Sequence, residues 1–110
     1  MATDRSRHVF RVDKFVVPEA ARQEFLGRVR TTHRILREQP GFVADVVLEQ
    51  SSGPGKFNFV TEVEWESQSA VDAAKTVVAA AQAQRGFSPQ ETLARLGIEA
   101  DLAYYKAVEA

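Results

Sequence analysis

Residues 57–75, FNFVTEVEWESQSAVDAAK, change their hydrophobic period within a single run. Up to Trp65 side chains alternate, so Phe57, Phe59, Thr61, Val63 and Trp65 share one face of a strand, and Asn58, Val60, Glu62 and Glu64 share the other. Beyond it, Val71, Ala74 and Val78 recur at helical spacing. A strand passing almost directly into an amphipathic helix must bury one face of each against the other, which points to helix packed on sheet. The chain's single tryptophan stands at this junction. Trp65 is a large core residue closing the end of the sheet, a pocket wall that stacks on a flat ligand, or both at once.

The remaining elements follow from the same periodicities. HVFRVDKFVV, residues 8–17, is rich in β-branched and aromatic residues and reads as the first strand. Pro18 sits where a helix can begin, since N1 has no hydrogen bond for proline to lose. Ala21, Phe25, Val29 and Leu36 then give a helical stripe ended by Gln39-Pro40-Gly41. Gly27 weakens that helix by about 1 kcal/mol relative to alanine. Residues 42–50 and 56–65 are strands joined by the turn cluster SSGPG. A second helix starts near Ser67 or Ser69, with Ser69 and Asp72 at capping-box spacing, and runs to Gly86. Ser88, Pro89 and Glu91 start a short helix that stops at Gly97, and residues 101–108 form the last strand.

The order β-α-β-β-α-β is the split βαβ, ferredoxin-like pattern of the α+β class: a four-stranded antiparallel sheet with its helices on one face. The expected organisation is a flexible arm over residues 1–7 and one domain over 8–110. The strands are apolar on both sides, so the uncovered face is expected to meet a second copy, giving a homodimer. Glu62 and Glu64 lie on that face and must find arginine or lysine, or stay at its rim.

Composition narrows the function classes. A formal charge of −1 in 110 residues gives no electrostatic reason to expect nucleic acid or anionic lipid. No stretch approaches the ~18 apolar residues of a membrane span, and no signal peptide is evident, so a cytoplasmic protein is expected. The absence of cysteine removes thiolate and iron–sulfur chemistry, and two separated histidines make a poor metal set. SSGPG lacks the lysine and following helix of a phosphate loop.

His33 borders the inward stripe of the first helix. It is a satisfied boundary residue or a general base, since histidine titrates near neutrality. Asp13 shares a strand face with Arg11, Phe15 and Val17. If that face meets the helices, its carboxylate needs a partner, either Arg11 in an ion pair or His33, whose imidazole it would orient. Tyr104 and Tyr105 point to opposite faces, one to the pocket and one to the dimer surface, and Tyr105 is assigned to the pocket.

Three pieces, VDKFVVP at 12–18, QPGFV at 39–43 and EVEWES at 62–67, resemble the antibiotic biosynthesis monooxygenase family of the dimeric α+β barrel superfamily. The resemblance covers roughly residues 8–108. It implies a pocket between sheet and helices, and in quinone-forming members the oxidation of phenols by molecular oxygen without metal or flavin. Trp65 matches the family tryptophan. Those members can carry an asparagine four residues earlier, where this chain has Thr61. Haem-degrading members place an iron-ligating histidine where this chain has Ala74, so haem degradation is disfavoured. The resemblance thus implies no cofactor and a monooxygenase acting on a small phenol or quinol. His33 would be the base, Asp13 its orienting partner, and Trp65, Phe59, Phe15, Thr61 and Tyr105 the substrate contacts. A non-catalytic small-molecule-binding or stress-associated dimer is the other reading, favoured by Thr61.

Overall fold

Strand β1, Val9–Val16, occupies an inner position of the sheet and gives it its length. In the computed structural model, which describes residues 5–109, β1 pairs antiparallel with β3 (Phe59–Trp65) on one side and β4 (Glu99–Tyr105) on the other. Strand β2 (Phe42–Glu49) pairs with the free edge of β3, so the order is β2-β3-β1-β4. Helices α1 (Arg22–Arg37), α2 (Gln68–Gln84) and α3 (Pro89–Leu96) cover one face. This is the ferredoxin-like α+β arrangement that the alternation and the helical stripes imply.

The boundaries depart from expectation where a side chain replaces a backbone partner. Pro18 does not open α1: it stays extended and its carbonyl accepts from Ala21, closing a 3₁₀ turn at Glu19–Ala21 before the α-helix proper. The third strand begins at Phe59 rather than at Lys56, because Asn58 mimics a strand partner with its amide. Its Oδ1 accepts from the Val17 N–H and its Nδ2 donates to the Val17 carbonyl, both at 2.8 Å. Ser67, rather than Ser69, caps α2, its Oγ accepting from the Ala70 N–H. Ser88, Pro89 and Gly97 bracket α3 as expected, Gly97 taking the left-handed conformation at φ 69°. Chain entering from Gly97 pairs at once, so β4 starts at Glu99. It ends at Tyr105, opposite Phe10 near the start of β1, and Val108 beyond it is 87% exposed.

Two apolar clusters hold the layers together. Phe15, Val17, Ala21, Phe25, Phe59 and Ile98 pack at one end, against Leu93 and Leu96 of α3. Val9, Val63, Trp65, Val71 and Ala74 pack at the other, with Phe42 edge-on to Trp65. Of the expected loose arm, residues 1–4 lie outside the described residues, as does residue 110. Arg5 is docked: its guanidinium donates twice to Glu64 and lies over the Phe10 ring. Among the described residues no helix is long and apolar enough to cross a membrane.

Candidate functional site

Between the two clusters the layers do not close. They leave a cavity of about 410 Å³, walled by β1, β3 and β4 below and by all three helices above. Phe15, Val63, Trp65, Phe25, Val29, Val71 and Ala74 are among its apolar walls, while Arg11, Asp13, Thr61, His33, Lys75 and Tyr104 bring polar groups to it. An apolar chamber with a few placed polar groups is the usual form of a small-molecule site. Trp65 is both core and wall: it is 3% exposed and lines the cavity.

His33 is the central group. Alpha-helical spacing turns it inward with Phe25, and these two are the buried residues of α1. The His33 Nδ1 lies 3.0 Å from Asp45 Oδ2, and the same carboxylate receives two hydrogen bonds from Arg37 one helical turn on. Burial alone would raise the Asp45 carboxyl, but the Arg37 and His33 hydrogen bonds outweigh it and hold the group below its ordinary value. An ionised Asp45 accepts a hydrogen bond from Nδ1–H, which fixes the tautomer and leaves the lone pair on Nε2. Nε2 makes no hydrogen bond to the protein, yet among the described residues no buried polar side-chain atom lacks a partner. It is therefore open to the cavity that His33 lines. The same reasoning opens the buried Thr61 hydroxyl to the cavity.

Asp13 does not orient His33. Arg11 Nε donates to its Oδ1 at 2.5 Å, and the Arg11 Nη1 donates to the Tyr104 hydroxyl at 2.7 Å. Burial pushes the Asp13 carboxyl up despite Arg11, and the charge of His33 acts on it only through space. It sits directly across the ladder from Thr61. Two further assignments are corrected. Tyr104, opposite Arg11, faces the cavity, whereas Tyr105, opposite Phe10, faces away from the helices. Phe59 is no wall: it is 2% exposed and stacks behind the cavity against Phe25, at 5.2 Å between ring centroids.

Asp45 was not singled out by the sequence, and the reason is a β-bulge. Phe42 and Asp45 are three residues apart, which strict alternation puts on opposite faces. The register shifts between Phe42 and Ala44, so Phe42 pairs with Trp65 and Asp45 with Val63, both on the helix side. The only signal in the sequence was a lone carboxylate inside the apolar run FVADVVL.

Residues 9–86 match the family model described as antibiotic biosynthesis monooxygenase. Among solved structures, SnoaB, a cofactor-independent oxygenase from Streptomyces nogalater, is 26% identical with a TM-score of 0.66, covering 94% of this chain and 96% of that one. The haem-degrader MhuD from Mycobacterium tuberculosis, with two haems bound in its active site, gives a TM-score of 0.67 at 22% identity, covering 93% and 97%. At that identity the likeness is one of fold. Among curated proteins none matches the chain in sequence.

Proposed function

Because the chain belongs to the antibiotic biosynthesis monooxygenase family, we propose that it is a cofactor-independent monooxygenase for a small phenol or quinol bound in the cavity. One observation carries this reading: a buried histidine, oriented through Nδ1 by Asp45, offers its other nitrogen to an apolar chamber walled by a tryptophan. The Nε2 of His33 takes the phenolic proton, and the resulting anion is electron-rich enough to reduce dioxygen by one electron. Recombination with the superoxide forms a carbon–oxygen bond para to the hydroxyl, and the imidazolium protonates the resulting peroxide anion. His33 then takes the para C–H proton as the O–O bond breaks and hydroxide leaves, giving the quinone. Phenol and dioxygen thus give quinone and water, the imidazolium returning its proton to the departing hydroxide. Confinement in a low-dielectric chamber strengthens the interaction of the anion with the imidazolium. Asp13, on the cavity wall beside Thr61, attracts the imidazolium through space, and Thr61 hydrogen-bonds the substrate oxygen.

A binding protein without turnover is the second reading, supported by Thr61, a hydroxyl where quinone-forming relatives can carry an amide. Haem degradation fits poorly, since Ala74 on the cavity wall offers iron no donor. Trp65 fluorescence, followed while phenols and quinols are titrated with oxygen uptake in parallel, separates the two main readings. Saturable quenching with oxygen consumption supports the oxygenase, and quenching without it supports the binder. His33→Ala is expected to lower kcat by 10²–10⁴-fold, roughly the range for general-base removal, while the circular dichroism spectrum stays unchanged. Full turnover in that variant at neutral pH would remove His33 from the mechanism.

The bare sheet face supports a two-fold dimer as the working unit. Val46, Leu48 and Tyr105 stand exposed on it, with Val12 and Val60 between them. Glu64, on the same face, is already matched by Arg5 and by His8, whose Nδ1 is 2.6 Å away.

A further inference from the structure

We infer that the aromatic ligand carries an anionic group, a carboxylate attached to its ring, which Lys75 and the Tyr104 hydroxyl, braced by Arg11, receive at the cavity mouth. The inference rests on the aromatic-ligand reading above and adds the ligand's charge. Two cations share the Tyr104 ring: Lys75 Nζ lies 4.6 Å from its centroid and the Arg11 guanidinium 4.9 Å. The Arg11 hydrogen bond occupies the hydroxyl oxygen as acceptor, so the tyrosine proton remains to be donated.

The charges at the mouth do not balance. Asp13 answers Arg11, and Arg28 stands 3.8 Å from Glu24. Lys75 has no ion-pair partner among the described residues. Of the Lys, Arg, Asp and Glu side chains lining the cavity, Arg11, Arg28 and Lys75 are cations and Asp13 is the anion; with Glu24 beside Arg28, the surplus is the charge of Lys75. This local excess occurs in a chain of formal charge −1. A positive surplus beside apolar walls concentrates and orients anions.

The spacing suits a fused-ring acid. Tyr104, Arg11 and Val63 lie side by side across β4, β1 and β3, and Trp65 is two residues beyond Val63. Strand spacing and rise put Trp65 about 12 Å from Tyr104 between Cα atoms. A two-ring aromatic stacked on Trp65 therefore extends its carboxylate toward Lys75.

Calorimetric titration under exclusion of oxygen tests this with 1-hydroxy-2-naphthoic acid and its methyl ester, which differ chiefly in charge. The acid is expected to bind about tenfold tighter, as one charge-assisted contact gives, and the preference should shrink in 0.5 M NaCl, where a Debye length of about 4 Å screens the exposed lysine. Lys75→Met, a change at an exposed helical position, should bring the acid to within about threefold of the ester, and Lys75→Arg should restore most of the preference. Equal affinity of acid and ester for the unaltered protein overturns the anion subsite while leaving the aromatic pocket standing. A preference that survives Lys75→Met overturns the assignment to Lys75. Binding of neither compound overturns this inference together with the aromatic-ligand reading beneath it.

Discussion

Asp45 joins catalysis and stability in one side chain. Its carboxylate holds Nδ1 of His33 and is itself held by Arg37, so α1 is fastened to β2 at the point where the proposed base is oriented. Asp45→Asn keeps an acceptor for Nδ1–H but removes the charge that stabilises the imidazolium. We expect kcat to fall about 10- to 10²-fold, less than the roughly 10²–10⁴-fold expected for loss of the base itself, with KM little changed. Steady-state oxygen uptake checks this. The same carboxyl has a consequence for acid stability. Because its folded-state value is depressed, the folded protein binds fewer protons at this site than the unfolded chain. Its stabilisation is fully present above the ordinary carboxylate range, near 4, and is lost as pH falls through the depressed value. Urea midpoints of the parent and Asp45→Asn should therefore differ at pH 6 and converge as pH drops below about 4. Asp13 acts in the opposite sense: burial raises it, so its contribution weakens as pH rises through the raised value.

At the level of elements, two glycines of one connected segment answer to different physics. Gly27 lies inside α1, and a methyl group added there meets nothing within 4 Å. Gly27→Ala is expected to stabilise by about 0.5–1 kcal/mol, through helix propensity and a less flexible unfolded chain. Gly41, which turns the chain from α1 into β2, has φ 85°, and a Cβ there would overlap the Ala70 methyl of α2. Its carbonyl also accepts from the Glu66 N–H at the entrance to α2. Gly41→Ala should cost about 2 kcal/mol or more, combining left-handed strain with the clash. Chemical denaturation of both variants gives opposite signs if this account holds; a neutral Gly41→Ala would mean that the α1–β2 turn readily gives way.

The whole molecule is a slab, with extents of 45 × 39 × 17 Å. Helices and sheet make two layers, and only the helix side of the sheet is covered. Leu48 is 50% exposed and Tyr105 45%, which is costly for a face of this breadth to present to water. A symmetric partner would cover both. Sedimentation velocity is expected to give twice the chain mass at micromolar concentration, and Leu48→Lys, on the outer face beside Val60, should weaken that association by about 100-fold or more, as a charge without a partner at a buried interface does. A monomer at about 50 µM would instead leave the face free for another use.

The sequence by itself determined the layering, because hydrophobic period is a local property that short segments carry alone. Strand β3 shows this well: Phe59, Thr61, Val63 and Trp65 face the helices as alternation requires, and each is buried. His33 was legible as an inward histidine for the same reason. Which groups meet across elements was decided only by the tertiary structure. The bulge in β2 turns Asp45 to the helix side and makes it, rather than Asp13, the partner of His33. The β1–β4 register puts Tyr104 opposite Arg11 and sends Tyr105 to the outer face. Phe59 has the right face to be a wall, yet the packing of Phe25 over it closes it off. Register, bulges and helix rotation are set by contacts between residues far apart in the chain, and no local period encodes them.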